Sequence, residues 1–325
     1  MKKIFALVLA LVLVFSLSVV AFAANGATYD ASLTTNSITI TKNLTANGPT
    51  GTTVQYPGDV LKFTAGAGVV TEATDGTTAP ALPAIEDVTV TEGDTSATIT
   101  VKLPTFDTVG IYTYEITETD TNVAGVTYRT DAIKLVLTVI EQEGKKVIAA
   151  VHCEAAGETK TDEFENIYNA GSLKVAKTVT GNIGDTSKDW NFTVTFTAPQ
   201  GDTVNSTISY GDNKTIAPSD WANGTATAEF VLKHNESIQF DNIPAGVTYA
   251  IEEAEANDDG YTTTPTNDSG TIAAETITNA SFENKKETTP DTGITLDSLP
   301  YVLIALVALG AAVAMILNKR RNAAY

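Results

Sequence analysis

"SITITKNLT", residues 37–45, is the stretch from which the rest of the chain is best read. Alternation puts Ile38, Ile40, Lys42 and Leu44 on one face of a strand and Thr39, Thr41 and Asn43 on the other. The first face is apolar and belongs in a core, yet Lys42 shares it. A charged amine is costly in an apolar interior, so a lysine there needs a partner.

The pattern returns in "SLKVAKTVTG" (172–181), where Leu173, Val175, Lys177 and Val179 share a face. "GIYTYEITET" (110–119) aligns Tyr112, Tyr114, Ile116 and Glu118, and "GVTYAIEEAE" (246–255) aligns Val247, Tyr249, Ile251 and Glu253. "DEFENIYN" (162–169) and "ASFENKKE" (280–287) share Phe-Glu-Asn, with Phe164 beside Asn166 and Phe282 beside Asn284 on the inner face. Lys42 precedes Glu118 by 76 residues, and Lys177 precedes Glu253 by the same 76. An ordered Lys, Glu, Asn set thus occurs twice, each member on a face expected to be buried.

Those residue types suggest a specific chemistry. Burial lowers the pKa of a lysine and raises that of a glutamate, so both become neutral in one apolar pocket. The amine is then a nucleophile. The acid donates to the Asn carboxamide oxygen and shuttles protons, and the fold supplies the effective molarity that a slow amidation requires. The product is a Lys–Asn isopeptide bond with loss of ammonia, formed once within the chain and without turnover.

Short alternating segments such as "DVTVTEG", "AIKLVLTVIE" and "WNFTVTFTAP", broken by Gly, Pro, Asn and Asp, predict an all-β fold of sandwiches. In the last of these, Trp190, Phe192, Val194 and Phe196 face one way. Strand boundaries between about 45 and 95 are not legible in this Thr-, Gly-, Ala- and Pro-rich stretch.

The chain ends point to the cell surface. Lys2 and Lys3 precede an apolar run and Ala21-Phe22-Ala23, the pattern of a secretory signal peptide (1–23). Leu299 to Leu317 is an uncharged run followed by Lys319, Arg320 and Arg321, which predicts a transmembrane helix with a cytoplasmic basic tail. Thr289, Pro290, Asp291, Thr292 and Gly293 lie just upstream. Pentapeptide, span and basic tail together resemble the sorting signal of Gram-positive surface proteins, with Thr289 where that family has leucine. The resemblance implies cleavage by a sortase between Thr292 and Gly293, leaving the acyl group on Thr292.

Residues 24–292 carry 15 basic against 38 acidic residues, which disfavours nucleic acid and anionic membrane as partners. One cysteine, Cys153, allows no intrachain disulfide and reads as a small buried side chain. His152 and His234 are isolated and read as surface residues. Adjacent Glu252 and Glu253 point to opposite faces of a strand, which excludes a paired-carboxylate glycosidase. No cofactor loop or metal cluster is recognisable.

"ITKNL", "GIYTYEITE", "FEN", "LKVAKTVTG…DTSKDWNFTVTF", "FVLKHNESIQFDNIPAGVTYAIEE" and "SFENKK" together resemble the major (backbone) pilins of Gram-positive bacteria, of the group A streptococcal type. The resemblance covers about 35–293. It implies two tandem immunoglobulin-like sandwiches (24–168 and 169–286) of the collagen-adhesin B type, followed by the sorting signal (287–325). It also implies cross-links Lys42–Asn166, with Glu118, and Lys177–Asn284, with Glu253. "NIYNAGS" then reads as a very short linker between end-to-end domains. The implied function is a structural pilus subunit joined by a sortase from Thr292 to a lysine of the next copy, with minor pilins and peptidoglycan as further partners. The alternative is a wall-anchored monomeric adhesin. Lys160 is the candidate acceptor, one residue from the position the resemblance indicates; Lys145 and Lys146, at an apparent hairpin turn, are its rivals.

Overall fold

The computed structural model describes residues 27–30, 37–154, 164–288 and 299–322. The signal segment, Lys160 and the pentapeptide Thr289–Gly293 lie outside these residues. The first strands are β1 (Ala27–Asp30), β2 (Ser37–Asn47), β3 (Asp59–Ala65), β4 (Val69–Thr71) and β5 (Val88–Val90). Next come β6 (Ser96–Lys102), β7 (Gly110–Thr119), β8 (Val126–Thr127), β9 (Ile133–Gln142) and β10 (Lys145–Glu154). The illegible stretch thus holds β3, β4 and β5, separated by loops.

The remaining strands are β11 (Phe164–Thr180), β12 (Trp190–Thr197), β13 (Ile208–Tyr210), β14 (Lys214–Ile216) and β15 (Thr225–Leu232). They are followed by β16 (Ser237–Pro244), β17 (Thr248–Glu253), β18 (Thr262–Thr266), β19 (Ser269–Thr271), β20 (Ile277–Lys285) and the helix α1 (Leu299–Asn322). Large side chains of α1 such as Tyr301, Leu303 and Leu306 are exposed. Among the described residues no helix is long and apolar enough to cross a membrane.

Two hydrophobic cores form. The first lies between a sheet containing β1, β2, β6, β8 and β11 and a sheet ordered β10-β9-β7-β3-β5 with β4 also on β7. The second lies between β18, β20, β11, β16, β13 and β14 on one side and β15-β12-β17-β19 on the other. The alternation read from sequence sets both: Ile38, Ile40, Tyr112 and Tyr114 are buried in the first, and Trp190, Phe192, Val194 and Phe196 in the second.

The expected linker is absent. "NIYNAGS" lies inside β11, a single strand of 17 residues that serves both cores. Phe164, Tyr168 and Ala170 point into the first core, whereas Leu173, Val175 and Val179 point into the second. The inward parity changes from even to odd at a register shift between Gly171 and Leu173 on the pairing with β16. One extra residue in a strand reverses the facing of everything after it. Gly171 permits the close approach there, since a Cβ would meet the Ala273 carbonyl oxygen at 2.3 Å. In sequence such a parity break looks like a strand end, and that is why it read as a linker.

Further bonds cross between the halves. Glu92 accepts from the Thr207 backbone N–H at 2.6 Å and from its hydroxyl at 2.7 Å, and Asn205 Nδ2 donates to the Gly58 carbonyl at 2.9 Å.

Candidate functional site

Lys42 stands on β2 and Lys177 on β11, each asparagine stands on the last strand of its core, and in both cores these two strands are parallel neighbours. Asn166 on β11 is opposite Leu44, two residues past Lys42 on β2. Asn284 on β20 is opposite Val179, two residues past Lys177 on β11. The same offset of two keeps lysine and asparagine on one face. The glutamates come from the facing sheets, Glu118 opposite Phe63 and Glu253 opposite Phe192.

The structure brings together all three members of each set. In the first core, Lys42 Nζ donates to Glu118 Oε2, and Asn166 Nδ2 donates to Glu118 Oε1 at 2.7 Å. In the second, Lys177 Nζ donates to both oxygens of Glu253, at 3.1 and 2.8 Å, while Asn284 Nδ2 donates to Glu253 Oε1. Lys42, Asn166, Lys177 and Asn284 are fully buried, and the Glu118 and Glu253 side chains are 2% and 0% exposed.

Burial holds the pKa of Lys42 below its ordinary 10.5, against the opposing pull of Glu118. Burial likewise lowers that of Lys177, against Glu253. Removal from water disfavours the ammonium, and a single carboxylate does not fully offset it. The arrangement therefore makes each amine easier to deprotonate than an exposed lysine, and holds it against a carboxyl group.

One expectation is revised. The carboxamides present their nitrogen, not their oxygen, to the glutamate. Each glutamate thus bridges the lysine amine and the carboxamide nitrogen. The Asn166 oxygen accepts instead from the Arg129 backbone N–H at 3.2 Å, whereas the Asn284 oxygen is buried without a partner. The aromatic surroundings also differ. Lys177 Nζ lies 4.6 Å from the Trp190 ring centroid and 5.9 Å from that of Phe192. Sequence reasoning could not reach Arg129, because its contribution is a main-chain N–H that leaves no mark on residue type.

The remaining candidates are scattered. Cys153 is buried and its thiol is pushed up to about 12 by burial, which makes it inert. The histidines expected at the surface are only partly exposed. His152 pairs with Glu154 at 2.7 Å, and His234 Nδ1 accepts the Val179 N–H at 2.9 Å. Lys145 is exposed beside the β9–β10 hairpin turn, and Lys146 pairs with Glu141 at 2.5 Å. Among the described residues no cluster of His, Cys, Asp or Glu could hold a metal ion.

Comparison with known proteins follows the same division. Residues 38–169 match a family described as the Spy0128-like isopeptide containing domain, and residues 171–286 match a domain of unknown function (DUF7601). The chain is 28% identical over 249 residues to a pilin of Streptococcus pyogenes serotype M1, covering 67% of this chain and 70% of that protein. It is 30% identical over 129 residues to the S. pyogenes pilus tip adhesin Cpa, covering 38% of this chain and 18% of the adhesin. The crystal structure of the major pilin from S. pyogenes superposes with a TM-score of 0.53 at 26% identity, covering 82% of this chain and all of that one. In sequence and in fold, the chain resembles the Gram-positive major pilins of the group A streptococcal type.

Proposed function

We propose that the chain is the structural subunit of a covalently linked pilus on a Gram-positive cell surface, with each half locked by a self-formed Lys–Asn isopeptide bond. The observation that carries the proposal is the duplicated buried cluster, with lysine, glutamate and asparagine on matching strands at the same offset.

In the reaction, the amine of Lys42 or Lys177 attacks Cγ of Asn166 or Asn284. Glu118 or Glu253 takes a proton from the amine and passes it to the departing NH₂, which leaves as ammonia. One N–C bond forms and one breaks, with no redox change. Preorganisation replaces turnover: the nucleophile and the amide are held together by the fold itself. Domains of 24–168 and 169–286, immunoglobulin-like and joined through β11, would then form a stiff rod.

Assembly uses the chain ends. The signal peptide is removed after Ala23. The uncharged run 299–317 and the basic residues that follow it keep the precursor at the membrane until cleavage. A sortase then cleaves after Thr292 and transfers it to Lys160 of the next copy, the last subunit passing to peptidoglycan. Resemblance to a tip adhesin fits a fibre that also carries minor pilins.

Two measurements test the proposal. Intact mass of recombinant residues 24–292 should show loss of two ammonias, and an unshifted mass refutes the bonds. Wall-extracted material should run as a ladder and yield a branched tryptic peptide joining Thr292 to a lysine. A branch at Lys145 or Lys146 moves the acceptor and keeps the pilus. Thr292 found only on peptidoglycan fragments makes the protein an anchored monomer.

A further inference from the structure

The donor that reaches the Asn166 oxygen, the Arg129 backbone N–H at 3.2 Å, sits just past the end of a very short strand. β8 pairs with β11 only through Val126 and Thr127, opposite Tyr168 and Ile167, and the ladder stops there. Two residues further on, the N–H of Arg129 turns to the Asn166 side chain instead of the β11 main chain. Strand pairing therefore does not fix this donor, and something else must.

The residue before it is held by a buried polar cluster. Tyr128 is 7% exposed, and its hydroxyl donates to Asp59 Oδ2 at 2.7 Å. Thr121 Oγ1 donates to Asp59 Oδ1 at 2.8 Å, and the two hydroxyls lie 2.7 Å apart, which closes a triangle. Asp59 is 6% exposed, and its Oδ1 also accepts the Val60 N–H at 2.6 Å. Burying an acid side chain is costly unless it is well hydrogen-bonded, so three donors converging on Asp59 make it a fixed point. Asp59 opens β3, and Phe63 of β3 lies opposite Glu118. The triangle thus ties the segment 121–129 to the sheet that carries the glutamate. On the far side of Tyr128, the Arg129 guanidinium lies 5.2 Å from the Phe164 ring centroid, and Nε donates to the Asp131 carbonyl at 3.0 Å. At the second site the Asn284 oxygen meets no donor among the described residues.

Resting on the isopeptide reading above, we propose that Tyr128 and Asp59 are positioning residues for the first bond, holding the Arg129 N–H where the Asn166 oxyanion forms. When the Lys42 amine adds to Cγ of Asn166, the carbonyl π electrons move to oxygen, which becomes an alkoxide. A hydrogen bond to a charged acceptor is about twice as strong as one to a neutral acceptor. The Arg129 N–H therefore stabilises the adduct more than the starting amide, and that difference lowers the barrier. Collapse of the adduct restores the C=O bond, breaks the old C–N bond and releases ammonia, leaving the donor unchanged. A main-chain N–H cannot be chosen by residue type, so the fold secures it through its neighbour's side chain.

The test follows both bonds in one molecule, with the second as internal control. The full chain is synthesised in a cell-free system and quenched at intervals. Ammonia loss is read by intact mass and assigned from the Lys42–Asn166 and Lys177–Asn284 branched peptides. Placing the α-hydroxy analogue of arginine at position 129 replaces the N–H by an ester oxygen and keeps every side chain. It should slow the first bond by about 10²-fold, as loss of one oxyanion donor does, and leave the second at the parent rate. Tyr128→Phe keeps the ring and removes only the hydroxyl; it should slow the first bond about tenfold, and Asp59→Asn should act in the same direction. With the ester in place, Tyr128→Phe should slow the bond no further, because both changes act through one donor. Additive slowing would assign Tyr128 a purely structural role and overturn the proposal. A parent-like first bond in the ester chain overturns it as well, as does equal slowing of both bonds by Tyr128→Phe. No ammonia loss from the parent overturns the bonds themselves.

Discussion

At the first site the Asn166 oxygen is held by a backbone N–H of Arg129, while at the second the Asn284 oxygen faces no donor and the lysine lies over two aromatic rings. The Lys, Glu, Asn trio is duplicated in strand position, in register and in its hydrogen bonds to glutamate. What surrounds it is not. Arg129 sits in the loop between β8 and β9, and loops vary where strands repeat. Strand pairing thus dictates which atoms meet, while the groups around them differ.

The sharpest way to break the comparison is to remove the shared proton carrier. Glu118→Ala should abolish the first bond and leave the second, and Glu253→Ala should do the opposite, each variant losing one ammonia by intact mass. If either variant still loses two, that glutamate is not required.

A smaller effect concerns stability. Lys42 and Asn166 are 124 residues apart and Lys177 and Asn284 are 107 apart. Cross-linking loops of that length is worth about 4–5 kcal/mol by the chain-entropy argument used for disulfides. Lys42→Ala and Lys177→Ala should therefore lower the melting temperature of their own halves by similar amounts, read by calorimetry and limited proteolysis. A clearly larger loss for Lys177→Ala would assign the excess to its aromatic contacts. Unchanged melting and protease resistance in both would rule out covalent ties.

The smallest effect is a dependence on pH. In Asn166→Ala or Asn284→Ala the bond cannot form and the buried amine stays free. Its folded pKa lies below the ordinary 10.5, so between these two values the unfolded chain binds a proton that the folded chain does not. Stability of the variants should rise with pH through that window and level off above about 10.5. In the parent the amines are consumed and this rise should be missing. A flat profile in the variants would mean that the lysine remains charged inside the fold.

Much of the site was legible because strand facing is local. A period of two needs only neighbouring residues, and it placed Lys42, Lys177, Asn166, Asn284 and Glu253 inward, along with the tyrosines and phenylalanines beside them. The repeated spacing of 76 residues then tied each lysine to its glutamate. His234 read as a surface residue because its backbone partner, Val179, is far away in the chain.

The sequence by itself determined the β class, the inward faces and the identity of the two Lys, Glu, Asn sets, since each follows from side-chain type and short-range alternation. Tertiary structure alone decided the rest: the parallel pairing of the lysine and asparagine strands, the two-residue offset, the nitrogen-first carboxamides and the unbroken β11. These depend on pairings between residues far apart in the chain, and on one bulge at Gly171–Leu173 that turns a single strand from one core to the other. Hydrogen bonds between main-chain groups are open to every residue type, so the sequence carries no local record of which ones form.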